Sequence, residues 1–117
     1  MLVIVSFAFT SVNLLSAQGS PITREEAIEI SKNATLVQEG LAIARSTSIE
    51  ALYLNSTEVE QKKEGSSRIL FENVPEGHSV WEIRWWFGAG LGGYVIGVIV
   101  DAEVGAIITE VRGNIFG

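Results

Sequence analysis

His78 is the only imidazole in 117 residues, and the chain contains no cysteine. A metal centre needs several converging ligands, and a nucleophilic triad needs a base held by an orienting partner. One histidine behind Gly77 at a strand entrance supplies neither, so His78 reads as a loop residue without a special role. Asp101 and Glu103 have the spacing that opens a calcium loop, but Gly105 follows at once and the further acidic ligands are missing. The same residues suit a tight turn, with Asp101 accepting from the backbone ahead of it and Gly105 in the left-handed conformation. The 14 Asp and Glu are scattered over the chain. They read as a solubilising surface, because a glycosidase pair is defined by separation in space. The expectation is a protein that is not an enzyme, with no catalytic residue, no metal and no cofactor.

Two other sets of residues suit recognition. In Val80-Trp81-Glu82-Ile83-Arg84-Trp85-Trp86-Phe87 the strand period is two. Trp81, Ile83, Trp85 and Phe87 share one face, the core face, and Glu82, Arg84 and Trp86 share the other. Arg and Trp often anchor protein interfaces. Two readings of that second face stay open: a loop or outlying helix covers it, or Arg84 and Trp86 form an exposed partner surface that Val95 and Ile99 would enlarge. Asn33-Ala34-Thr35 and Asn55-Ser56-Thr57 match the N-glycosylation acceptor pattern. Asn33 suits a helix cap equally well, which leaves Asn55 the better acceptor of the two.

These residues need elements to hold them. Thr23 and Glu26 have the spacing of a capping box, and Ala27, Ile30, Ala34 and Val37 make an amphipathic stripe. Helices are expected at 24–32 and 34–45, the second weakened at Gly40 by about 1 kcal/mol relative to Ala. Alternation over 46–55 predicts a first strand, and 56–64 a short exposed helix. Phe71 and Val74 fall in an irregular segment before the Pro75-Glu76-Gly77 turn. Strands follow at 79–87, 93–101 and 106–112. The glycine-rich run at 88–93 reads as a flexible loop; with no helix after it, it is no phosphate cradle. The fold class is α+β: an antiparallel sheet of three to four strands packed against N-terminal helices.

Residues 1–17 carry no charge, so everything after them carries the net charge of −6. The segment has an apolar centre and ends on Leu15-Ser16-Ala17, which suits a cleavage site, although no Lys or Arg precedes it. It reads as a signal peptide or, uncleaved, as a membrane anchor, followed by a linker at 18–22 and one domain over 23–117. Membrane contact would come only through that segment. The acidic balance argues against nucleic acid, since phosphate neutralisation needs clustered Lys and Arg. Without cysteine, no disulfide framework supports the domain.

Two pieces in order, Ile22-Thr23-Arg24-Glu25-Glu26-Ala27 and a Val80-Trp81-Glu82-Ile83 strand followed by one running into Asp101-Ala102-Glu103-Val104-Gly105, resemble a PepSY domain, specifically the small secreted single-domain versions of archaea and bacteria. Val104 stands where that family usually has a threonine. The resemblance implies an antiparallel sheet packed on one or more helices. It also implies a binding role: PepSY domains occur in propeptides of thermolysin-type metallopeptidases, as restraints on the protease, and alone or beside membrane anchors. It transfers no inhibitory residue. The function expected is an exported binding domain that modulates or inhibits an extracytoplasmic protease, with a metallopeptidase as partner. The alternative is an envelope-interaction protein that contacts a membrane protein or surface layer and inhibits nothing. Intact-mass measurement of the native protein is expected to give an N-terminus near Gln18; Met1 retained on a soluble cytoplasmic chain contradicts export.

Overall fold

The computed structural model describes residues 22–89 and 92–113. The expected signal or anchor at 1–17 and the linker as far as Pro21 lie outside the described residues. In helix α1 (Arg24–Ser31) the Thr23 hydroxyl accepts from the Glu26 N–H at 3.1 Å, and the Glu26 carboxylate accepts from the Thr23 N–H at 2.8 Å. The box satisfies two donors that a helix start leaves without intrahelical partners. Helix α2 (Thr35–Ile43) starts differently from expectation. Its cap is Ala34, and Asn33 contributes no capping bond. The Leu36 N–H in its first turn instead donates to the Glu110 carboxylate at 2.8 Å, 74 residues further along the chain.

Strand β1 (Ser46–Leu54) is followed by helices α3 (Ser56–Lys63) and α4 (Arg68–Phe71), then by strands β2 (Val80–Ala89), β3 (Gly92–Asp101) and β4 (Ala106–Gly113). The four strands form one antiparallel sheet in chain order. The domain is thus α+β, and its helices are not all N-terminal, since two lie between β1 and β2. Two of the expected local structures need correction. The glycine-rich run is mostly sheet, because Gly88 pairs with Gly93 and Ala89 with Gly92, which leaves only residues 90–91 to connect the strands. The segment holding Phe71 is helical, too short for its period to show in sequence.

Period-two alternation puts apolar side chains on both faces of the sheet, and each face has its own core. On one face α1 and α2 cover Ile83, Trp85, Phe87, Ile96, Val98 and Val100 together with Ala27 and Val37. Trp85 is fully buried, and its indole N–H donates to Ser31 Oγ at 2.8 Å, while the Ser31 hydroxyl donates to the Ile28 carbonyl at 2.7 Å. Trp81, expected in the core, lies at its margin. It is half-buried, edge-on to Tyr53, and its indole N–H donates to the Ile22 carbonyl at 2.9 Å. On the other face Leu54, Val59, Leu70, Phe71, Val74, Val80 and Ile99 make the second core under α3 and α4. Helix α3 was expected to be exposed, yet Val59 is fully buried because α3 is the roof of that second layer.

Gly40 is buried where α2 crosses β2, and a methyl group on its Cα would run into the Phe87 ring. Helix propensity alone favours Gly40→Ala by about 1 kcal/mol. Overpacking against an aromatic ring costs about 1–3 kcal/mol. Gly40→Ala is therefore expected to lower the denaturant midpoint, and a raised midpoint would show that the two layers are not in contact there.

Candidate functional site

The second face of the sheet is covered at one end only. At the β1 end and β2 start, α3 and α4 close over Leu54 and Val80. Towards the other end of β2, Trp86 is 37% exposed. Helices therefore cover one end of this face, and Trp86 at the other end is in contact with solvent.

Glu82, the next residue after Val80 on this face, is buried, although alternation alone suggests an outward carboxylate. A carboxylate out of water is costly unless a charge and hydrogen bonds replace the solvent. Arg84, two residues on and therefore on the same face, supplies them: its Nε–H donates to Glu82 Oε2 at 3.1 Å. The guanidinium also lies 3.7 Å from Glu50 on β1, its direct cross-strand partner. The same Glu50 carboxylate accepts from the Trp86 indole N–H at 3.2 Å. Glu82, Arg84, Glu50 and Trp86 thus form one connected row from the covered end of the sheet to the open one. Beside it is a groove of about 190 Å³ lined by Glu50, Ala51, Leu52, Glu82 and Arg84, and Leu52 is half exposed. Val95 and Ile99 do not enlarge this surface, since both are buried, Ile99 within the second core.

Sequence reasoning separates Arg84 and Trp86 from the core face, but it does not find Glu50. Glu50 stands 34 and 36 residues away from them, and only the β1–β2 register brings it opposite. The signal, in retrospect, is that alternation in β1 puts Glu50 on the face of Ser48 and Leu52; the register itself is not written in either strand.

At the opposite corner, His78, Ser79, Asp101 and Glu103 converge. His78 Nδ1 lies 2.7 Å from Asp101 Oδ2, and Asp101 Oδ1 accepts the backbone N–H groups of Glu103 at 2.8 Å and Val104 at 3.3 Å. Gly105 closes the turn at φ 72°. The Ser79 hydroxyl donates to Glu103 Oε2 at 2.5 Å. His78 therefore has a role in the fold, tying the entrance of β2 to the β3–β4 turn. The cluster holds a histidine, a serine and an aspartate without being a triad, because the hydroxyl is turned to Glu103 and the imidazole to Asp101. Among the described residues no group of three or more acidic or histidine side chains is placed to hold a metal ion.

Of the two Asn-x-Thr triplets, the one at Asn55 is built into a helix start. Its Oδ1 accepts the Glu58 N–H at 2.9 Å, and the Glu58 carboxylate accepts the Asn55 N–H at 2.9 Å. Asn33 is exposed in the turn between α1 and α2. Among the described residues no helix is long and apolar enough to cross a membrane. Comparison of the chain with protein-family models, with curated proteins and with solved structures finds no match.

Removing Arg84 strands the buried Glu82 carboxylate. Arg84→Ala is expected to cost near the low end of the roughly 3–5 kcal/mol typical of breaking a buried pair. Adding Glu82→Gln in the same chain removes the stranded charge and is expected to restore most of the loss. Denaturant titration of the single and double variants measures this; equal stabilities would mean that Glu82 does not depend on Arg84.

Proposed function

We propose that this chain is an exported, non-enzymatic binding domain of the PepSY type that modulates an extracytoplasmic protease. One observation carries the binding role. Where the second face of the sheet lies beyond its roof of α3 and α4, the half-exposed Trp86 is held in place by a hydrogen bond to Glu50 beside the guanidinium of Arg84. A large, pre-positioned aromatic next to an arginine is the composition that concentrates binding energy in protein interfaces. The export and PepSY parts of the reading are supported by the uncharged residues 1–17 and by the Val80–Ile83 and Asp101–Gly105 motifs.

The test is proteolysis by an exported metallopeptidase of the producing organism, with and without the domain. The wild-type chain is expected to slow cleavage, and Trp86→Ala to need at least tenfold more protein for the same effect, about 1.4 kcal/mol. Its melting temperature should stay nearly unchanged, because the indole is at the open end of the sheet. A large fall in melting temperature would make Trp86 a packing residue. Proteolysis unaffected by the wild-type chain would favour the envelope-interaction role instead.

A further inference from the structure

The sheet has two edges, and the described residues guard only one. The ladder that β4 makes with β3 is interrupted by a register shift between Ile99 and Val100. The two charged side chains of β4 are also engaged: Glu110 accepts the Leu36 N–H, and the Arg112 guanidinium sits 4.1 Å from the centre of the Tyr94 ring. Bulges and charges of this kind are how natural sheets keep a further strand from adding. Strand β1 has no such bulge. It pairs with β2 without a break from Ser46 to Leu54, contains no proline and no lysine or arginine, and carries a single charge, on Glu50. Its other side, among the described residues, pairs with no strand.

Electrostatics says what would suit that edge. Glu50 and Glu82 share one guanidinium, and the buried Glu82 has the closer bond to it, 3.1 Å against 3.7 Å. The three groups together leave one negative charge, and the side chain of Glu50 is largely exposed. A strand added beside β1 would place one residue directly opposite Glu50, with Cβ atoms about 4.5–5.5 Å apart. Its neighbours would point to the other face, alongside Ile49 and Ala51, which pack at the margin of the first core. A second copy of the chain fits this edge poorly, since its β1 offers no cation and the chain carries a net charge of −6.

We propose that the outer edge of β1 accepts an extended segment of a partner protein as a fifth strand, with a lysine or arginine of that segment opposite Glu50 and aliphatic residues on either side of it. The inference rests on the reading of the domain as a binding module and does not require the partner to be a protease. It is a case of β-strand addition, in which backbone hydrogen bonds supply affinity and alternate side chains supply specificity.

The experiment uses the full chain and a blocked peptide the length of β1 that alternates valine and lysine, with a peptide alternating valine and glutamate as control. The lysine peptide is expected to bind at least tenfold more tightly and to slow amide hydrogen exchange within β1. Glu50→Lys is expected to reverse the preference between the two peptides, and Glu50→Gln, which keeps the side chain's shape, to abolish it. Equal binding of both peptides to the wild type, or binding without added protection in β1, would falsify the proposal. Sedimentation of the chain alone as a dimer with β1 protected would assign the edge to a second copy and overturn it as well. If the peptides fail while Trp86→Ala still weakens the effect on proteolysis, the binding-module reading stands and the edge proposal alone is lost.

Discussion

The buried hydrogen bond from the Trp85 indole to the Ser31 hydroxyl joins the two halves of the domain. Trp85 is the largest fully buried side chain on the sheet, and its N–H needs a partner once it leaves water. Ser31 can supply one because its own proton is given to the Ile28 carbonyl within α1, so that its oxygen is free to accept. Trp81, four residues earlier on the same face, repeats the arrangement, donating to the Ile22 carbonyl just ahead of the same helix. Two indoles four residues apart on one face thus fix both the height and the direction of α1 across the sheet. The contact of Gly40 with Phe87 then sets how closely α2 can follow.

The other face obeys a different constraint. Its core is made by α3 and α4, which occupy the connection between two neighbouring antiparallel strands and can only fold back over the end where that connection begins. The roof is therefore short. It covers Val80 and leaves Trp86 in contact with solvent, with the buried Glu82 between the two on the same face. Burial of Glu82 at the border makes Arg84 necessary, and Arg84 orients Glu50, which in turn holds the Trp86 indole. The exposure of Trp86 is a consequence of where the second roof ends.

That coupling separates this surface from a patch of independent side chains. Arg84 belongs partly to the fold, through the buried carboxylate, and partly to the surface, through Glu50. Trp86 belongs mainly to the surface. Affinity and stability are linked at the first position and separable at the second, which is why Trp86 and not Arg84 is the informative site for a binding role. The outer edge of β1 adjoins the same row of side chains, since Glu50 is at once its only charge and the centre of the row.

The elements themselves were legible in the residues. The Thr23–Glu26 box, the alternation of β2 and the Asp101–Gly105 turn are local patterns, and local patterns depend on dihedral preferences and on hydrogen bonds a few residues long. So the α+β class, the antiparallel strands and the division of β2 into a Trp85 face and a Trp86 face follow from sequence. Alternation says which side chains point the same way. It does not say what lies above them. That Glu82 is buried, that Trp81 is only half so, that Glu110 caps α2 and that Glu50 reaches Trp86 were decided by tertiary structure. Each depends on strand register or on where a distant helix comes to rest, and those are set by packing two cores at once around a single sheet.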